Sequence, residues 1–146
     1  MYKKLFKIKI GYGESKEGDG KMRVFETKYS VRNEGHYVPA VEVNGTVYIS
    51  GQLSIDPETG KVPGGGIKTE ARQALTNLEL VLKAAGLEKK DVAMCRIYIP
   101  NVKYWEDLNE AYAEFFGTHR PARVVVPSNN LHHGCLVEVE AVAERR

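Results

Sequence analysis

Arg123 stands inside the apolar strand-like run at residues 122–126, between Ala122 and three valines. Its guanidinium is a planar fork of N–H donors that matches a carboxylate in two-point fashion, which a lysine cannot do. An arginine in such a run must be paired or must point into a cleft. Glu138 and Glu140 lie in a second run of this kind, at 135–144, on a face that is either solvated or buried against another subunit, where a carboxylate needs a partner. Two readings follow from these residue types. Arg123 forms a structural ion pair with Glu138 or Glu140, or it points into a cleft and binds a carboxylate with a glutamate nearby.

Other reactive residue types form weaker patterns. His132 and His133 are adjacent, and neighbouring residues on a strand point to opposite faces. With no third ligand at a telling spacing, they read as a polar turn before the last strand rather than a metal site. Gly64, Gly65 and Gly66 lack the lysine and hydroxyl residues of a phosphate loop and read as a flexible connection. Cys95 and Cys135 are 40 positions apart in apolar runs, which fits small buried side chains rather than a disulfide or zinc framework. No nucleophile elbow, Cys/His pairing or dinucleotide fingerprint is present.

The elements that must position these residues are legible in outline. Residues 5–10 and 23–27 are strand-like and could pair as a hairpin across the glycine- and charge-rich stretch between them. Asn44-Gly45 between the runs 37–43 and 46–52 is a hairpin signal, and Asp56-Pro57-Glu58-Thr59-Gly60 is a turn. Ala71, Ala74, Leu75, Leu78, Val81, Leu82 and Ala85 recur at helical spacing until Gly86 stops the helix. A strand at 92–99 ends at Pro100. A second helix spans 105–116, with Trp105, Leu108, Tyr112, Phe115 and Phe116 expected inward. In the last strand Leu136, Glu138, Glu140, Val142 and Glu144 share one face, and Val137, Val139, Ala141 and Ala143 the other. These elements predict an α+β domain, with helices on one face of the sheet.

The chain has 146 residues and 42% hydrophobic content, enough for one domain with a real core. Of its net charge of +2, residues 1–21 carry +3, from six lysines against three acids. The remaining 15 bases and 16 acids leave the body at −1, which argues against nucleic acid as the main partner. The charged start interrupts any signal peptide, and no run of about 18 apolar residues spans a membrane. An intracellular (cytoplasmic), soluble protein is expected, with residues 1–21 as an extension and 22–146 as the domain.

Several stretches together resemble one family. They are Gly35-His36-Tyr37-Val38-Pro39-Ala40-Val41, Tyr48-Ile49-Ser50-Gly51-Gln52, Ile55-Asp56-Pro57-Glu58-Thr59-Gly60 and Arg72-Gln73-Ala74-Leu75-Thr76-Asn77-Leu78. Asn109-Glu110-Ala111-Tyr112-Ala113-Glu114-Phe115-Phe116, Arg120-Pro121-Ala122-Arg123 and Val137-Glu138-Val139-Glu140-Ala141-Val142-Ala143 follow in order. Across residues 23–144 the chain is similar to the RidA/YjgF family of enamine/imine deaminases. That resemblance implies a chorismate-mutase-like α+β fold, a mostly antiparallel sheet with two helices on one face, assembled as a homotrimer with clefts between subunits.

By the same resemblance, Arg123 corresponds to the arginine that holds the substrate carboxylate, and Glu138 to the glutamate that positions the attacking water. Tyr37, Ser50, Gly51 and Asn109 match residues lining the cleft. The implied reaction is hydrolysis of 2-imino acids, formed from 2-aminoacrylate or 2-aminocrotonate, to 2-keto acids and ammonia, without cofactor or metal. The chain departs from the family pattern at several points: Val124 and Val125 replace a serine or cysteine after the arginine and make the wall more apolar, His36 replaces a proline, Pro39 replaces a glutamine, and Asn130-Leu131-His132-His133-Gly134 replaces a Leu-Pro-basic turn. These bear on substrate range. Two alternatives are a keto-acid-binding regulatory trimer without turnover and an RNA-acting translation inhibitor or endoribonuclease.

Overall fold

In the computed structural model, residues 22–29 and 35–146 are described. The expected strand at 5–10 and its pairing with residues 22–28 lie outside them. The described chain forms β1 (Arg23–Phe25), β2 (Ala40–Val43), β3 (Thr46–Leu53), α1 (Ile67–Ala84), β4 (Val92–Ile99), α2 (Trp105–Phe116), β5 (Ala122–Pro127) and β6 (Glu138–Glu144). The strands make one sheet in the order β1-β2-β3-β6-β4-β5. All neighbours are antiparallel except β4 and β5, the pair that α2 connects. A parallel pair needs such a crossover, and a helix supplies it.

Local chemistry sets the element ends. Asn44 and Gly45 both take positive φ, 50° and 82°, which is what a two-residue turn between β2 and β3 requires. Helix α1 ends in a Schellman arrangement. Leu87 N–H reaches Leu82 O at 2.9 Å and Gly86 N–H reaches Lys83 O at 3.0 Å, with Gly86 at φ 70°. β2 begins at Ala40 rather than at residue 37, because Pro39 has no N–H to give a ladder. β6 begins at Glu138 rather than at residue 135. There Cys135 N–H closes a 3₁₀ turn onto His132 O, 3.3 Å away, and Leu136 N–H bonds Glu70 Oε1, 2.8 Å away.

The expected division of β6 holds: Val137, Val139, Ala141 and Ala143 are buried. They pack under α1, whose Ala71, Ala74, Leu75, Leu78, Val81 and Leu82 are buried as the spacing predicts. In α2 the buried set is Leu108, Ala111, Tyr112 and Phe116. Trp105 departs from expectation, remaining 36% exposed at the first position of the helix. Cys95 and Cys135 are buried free thiols. No helix among the described residues is long and apolar enough to cross a membrane.

Among the described residues no helix covers the other sheet face. Ladder pairing aligns Val24, Val41, Tyr48, Val142, Met94 and Ala122 in one row across all six strands. Val24 and Tyr48 are each 50% exposed.

Candidate functional site

Arg123 projects from β5, an edge strand. Its Cα partner is Cys95 in β4, which in turn pairs Ala141 in β6. Arg123 therefore shares the helix-covered face with those buried residues. Its Nη1 donates to Asn109 Oδ1 on α2 at 3.0 Å. The guanidinium carbon stands 4.7 Å from the Tyr112 ring centroid and 5.5 Å from that of Trp105. Among the described residues no carboxylate makes an ion pair with it. Beneath it, burial pushes the Cys95 thiol up to about 11, against the pull of Tyr112 and Arg123. A thiol so shifted is no nucleophile near neutral pH. Burial likewise raises the Tyr112 phenol, which lies beside Cys95 without a well-formed hydrogen bond among the described residues.

Glu138 opens β6 with Leu53 of β3 on one side and Tyr98 of β4 on the other. The β3–β6 register shifts between Ile49 and Gln52, so Ser50 and Gly51 form a bulge opposite β6. Bulges re-aim side chains and often lie beside active sites. Here the bulge brings Gly51 against the Glu138 carboxylate, and a Cβ at position 51 would collide with Oε1 of Glu138. Ser50 locks the bulge: its hydroxyl donates to Val38 O at 2.6 Å, and its N–H donates to Pro39 O at 2.9 Å. The Glu138 carboxyl is raised above the ordinary glutamate range, first by burial and then by Glu140, while His132 pulls it back.

A cavity of about 570 Å³ borders the bulge, lined by Tyr37, Gly51, Gln52, His132 and His133 together with Tyr29, the 55–60 turn and Asn77, Leu80 and Val81 of α1, and Glu138 is not part of its wall. Tyr37 is 56% exposed there. The two histidines do not point to opposite faces as on a strand. They lie on a 3₁₀ turn with His133 at φ 57°, and their ring centroids are 3.8 Å apart. Among the described residues no group of three potential metal ligands occurs.

The pairing registers exclude the structural ion pair. Ala141 is on Arg123's face, and Glu138, three residues away along β6, is on the opposite face. Glu140 is likewise on the outer face, where Arg96 Nη1 donates to it at 2.9 Å. Within one chain, then, Arg123 with Asn109 and Glu138 with Gly51 stand on opposite faces of the sheet. The two valines also divide. Val125 lies on Arg123's face and packs against the core, whereas Val124 is on the outer face and 41% exposed. Only Val125 can act as an apolar wall beside Arg123.

Two residues of this site read in the sequence only as core. Trp105 and Tyr112 meet Arg123, and with Asn109 they fall at the i, i+4, i+7 spacing of one helical face, a pattern that the sequence itself carries.

The described fold matches known proteins. The family model for endoribonuclease L-PSP matches residues 27–145. The chain belongs to this family, the RidA/YjgF family. The human family member named 2-iminobutanoate/2-iminopropanoate deaminase is 37% identical over 121 residues, 83% of this chain and 88% of its own length. A RutC family protein of Pyrococcus horikoshii is 38% identical over 120 residues, 82% of this chain and 95% of its own. The crystal structure of E. coli TdcF with bound serine superposes with a TM-score of 0.79 at 31% identity, covering 85% of this chain and 99% of that one. All the site residues predicted from the RidA/YjgF resemblance fall inside the matched span, and the lysine-rich residues 1–21 fall outside it.

Proposed function

We propose that this chain hydrolyses 2-imino acids to 2-keto acids and ammonia, as a homotrimer in which Arg123 of one subunit faces Glu138 of the next. The observation that carries this reading is the pair of incomplete half-sites. One holds a guanidinium fork without an acidic partner among the described residues, and the other holds a desolvated carboxylate seated against Gly51. Together they supply what an imine with a carboxylate tail requires.

Arg123 takes the substrate carboxylate in two-point fashion and orients C2. A water beside Glu138 attacks C2 of the C=N bond, the carboxylate accepts the water proton, and the Glu138 carboxyl passes that proton to the nitrogen. The resulting carbinolamine then collapses: its hydroxyl proton passes by way of Glu138 to the amine nitrogen, the C–N bond breaks, and ammonia leaves as the carbonyl forms. A general base of this kind contributes typically ~10²–10⁴-fold, and most when its proton affinity approaches the working pH. The raised Glu138 fits that demand. No step in this scheme requires a cofactor or a metal.

The test couples the protein to a threonine dehydratase with threonine as substrate. Wild type should speed formation of 2-ketobutyrate from the released intermediate, and Arg123→Ala should abolish the acceleration. No acceleration by wild type, or full activity in Arg123→Ala, overturns the assignment. A second reading, a binding trimer without turnover, draws on the serine-bound structure of the TdcF relative and on the apolar Val125. Calorimetry showing keto-acid binding alongside absent hydrolysis would favour it.

A further inference from the structure

Helix α2 presents three residues to Arg123 from one face, and the roles they imply differ from one another. Asn109 accepts one N–H at 3.0 Å. Tyr112 and Trp105 present ring faces to the guanidinium at 4.7 and 5.5 Å. A guanidinium over aromatic faces is attracted by their quadrupoles, and its hydrogen bonds remain confined to its own plane. With one edge tied to Asn109, the direction of the remaining N–H donors is set by the two rings.

Tyr112 is a buried floor, 7% exposed, and Trp105 a rim, 36% exposed. Arg123 stands over the Tyr112 ring, while the Tyr112 hydroxyl lies beside the buried Cys95 thiol.

We infer that Trp105 and Tyr112 are positioning residues, an aromatic clamp that fixes the Arg123 guanidinium before a carboxylate arrives. The inference rests on reading Arg123 as the carboxylate anchor. A long side chain held in advance loses less freedom on binding, so the clamp acts on ligand affinity. Its loss should raise KM while kcat changes little, because the carboxylate is held equally in the ground and transition states.

The test uses full-length Trp105→Phe, Trp105→Leu, Tyr112→Phe and Tyr112→Leu with two measurements. The first is the Nε–H signal of Arg123 in the ligand-free protein by NMR, identified by its loss in Arg123→Lys. The second is calorimetric affinity for 2-ketobutyrate. Trp105→Leu should move the Arg123 signal downfield as ring shielding is lost, and should weaken binding about tenfold, equivalent to about 1.4 kcal/mol. Trp105→Phe and Tyr112→Phe keep a ring and should bind within about twofold of wild type.

Tyr112→Leu, if it folds, should behave like Trp105→Leu. If it does not, the two Trp105 variants and Tyr112→Phe decide the matter. An unmoved Arg123 signal with unchanged affinity in Trp105→Leu overturns the clamp, as does a Trp105→Phe variant as impaired as Trp105→Leu. If wild type binds no 2-ketobutyrate while the Arg123 signal still moves in Trp105→Leu, the clamp stands and the carboxylate-anchor reading falls.

Discussion

At the scale of single residues, the role proposed for Glu138 as a base depends on the environment of its carboxyl. Its carboxyl is raised by burial and by Glu140, and lowered by His132. As a base it must be ionised, so activity should fall on the acid side at a pH above the ordinary glutamate range. Glu140→Gln removes a raising influence and should move that acid limb to lower pH. His132→Ala removes the opposing one and should move it higher. A pH profile of kcat/KM for the three proteins checks both directions. Opposite shifts are the signature, and parallel shifts would sink the assignment of the limb to Glu138. The sequence marks Glu138 by residue type and strand face. What it does not carry is the bulge at Ser50-Gly51, since a register shift depends on pairing between segments far apart in the chain. Nor does spacing alone show that Trp105, aromatic and on an apolar stripe, stays at the rim over a cation.

At the scale of elements, the half-site around Glu138 depends on two buried polar side chains of α1. Glu70 Oε1 accepts from Ser54 Oγ at 2.6 Å and from Leu136 N–H at 2.8 Å. Asn77 Nδ2 donates to Leu53 O and Ile55 O, each at 2.8 Å, while its Oδ1 accepts from Gln73 at 3.0 Å. The helix thereby fixes the end of β3 and the approach to β6, the two strand ends that place Gly51 and Glu138. Asn77→Ala leaves both carbonyls without that donor and should destabilise the fold by about 2–3 kcal/mol, measured as a shift of the denaturation midpoint at unchanged m-value. A loss within about 0.5 kcal/mol would mean the strand end is held without it. The helices themselves are legible from apolar spacing, and the hairpin from Asn44-Gly45. The true start of β6 is not, because the N–H of Leu136 is satisfied by Glu70 from another element, a bond that no local pattern announces.

At the scale of the whole molecule, helices of the described residues cover one face of the sheet only, and its outer face carries the apolar row from Val24 to Ala122. An exposed apolar surface of this extent marks an interaction site. The proposed trimer covers it with further copies of the chain, and at the same time brings the β5 edge with Arg123 to a neighbour's Glu138. This arrangement makes a prediction that no single-subunit site can meet. Arg123→Ala and Glu138→Gln should each be inactive alone. When the two variants are unfolded together and refolded as a mixture, each cleft draws its arginine from one chain and its glutamate from another. With equal amounts and random assembly, about one-quarter of the clefts then combine an intact Arg123 with an intact Glu138. Activity should return to about one-quarter of wild type after refolding, and should stay absent when the folded variants are merely mixed without exchange. If both residues acted from one chain, the refolded mixture would stay as inactive as its components, because no chain in it carries both. The opposite faces occupied by Arg123 and Glu138 are the physical reason to expect recovery.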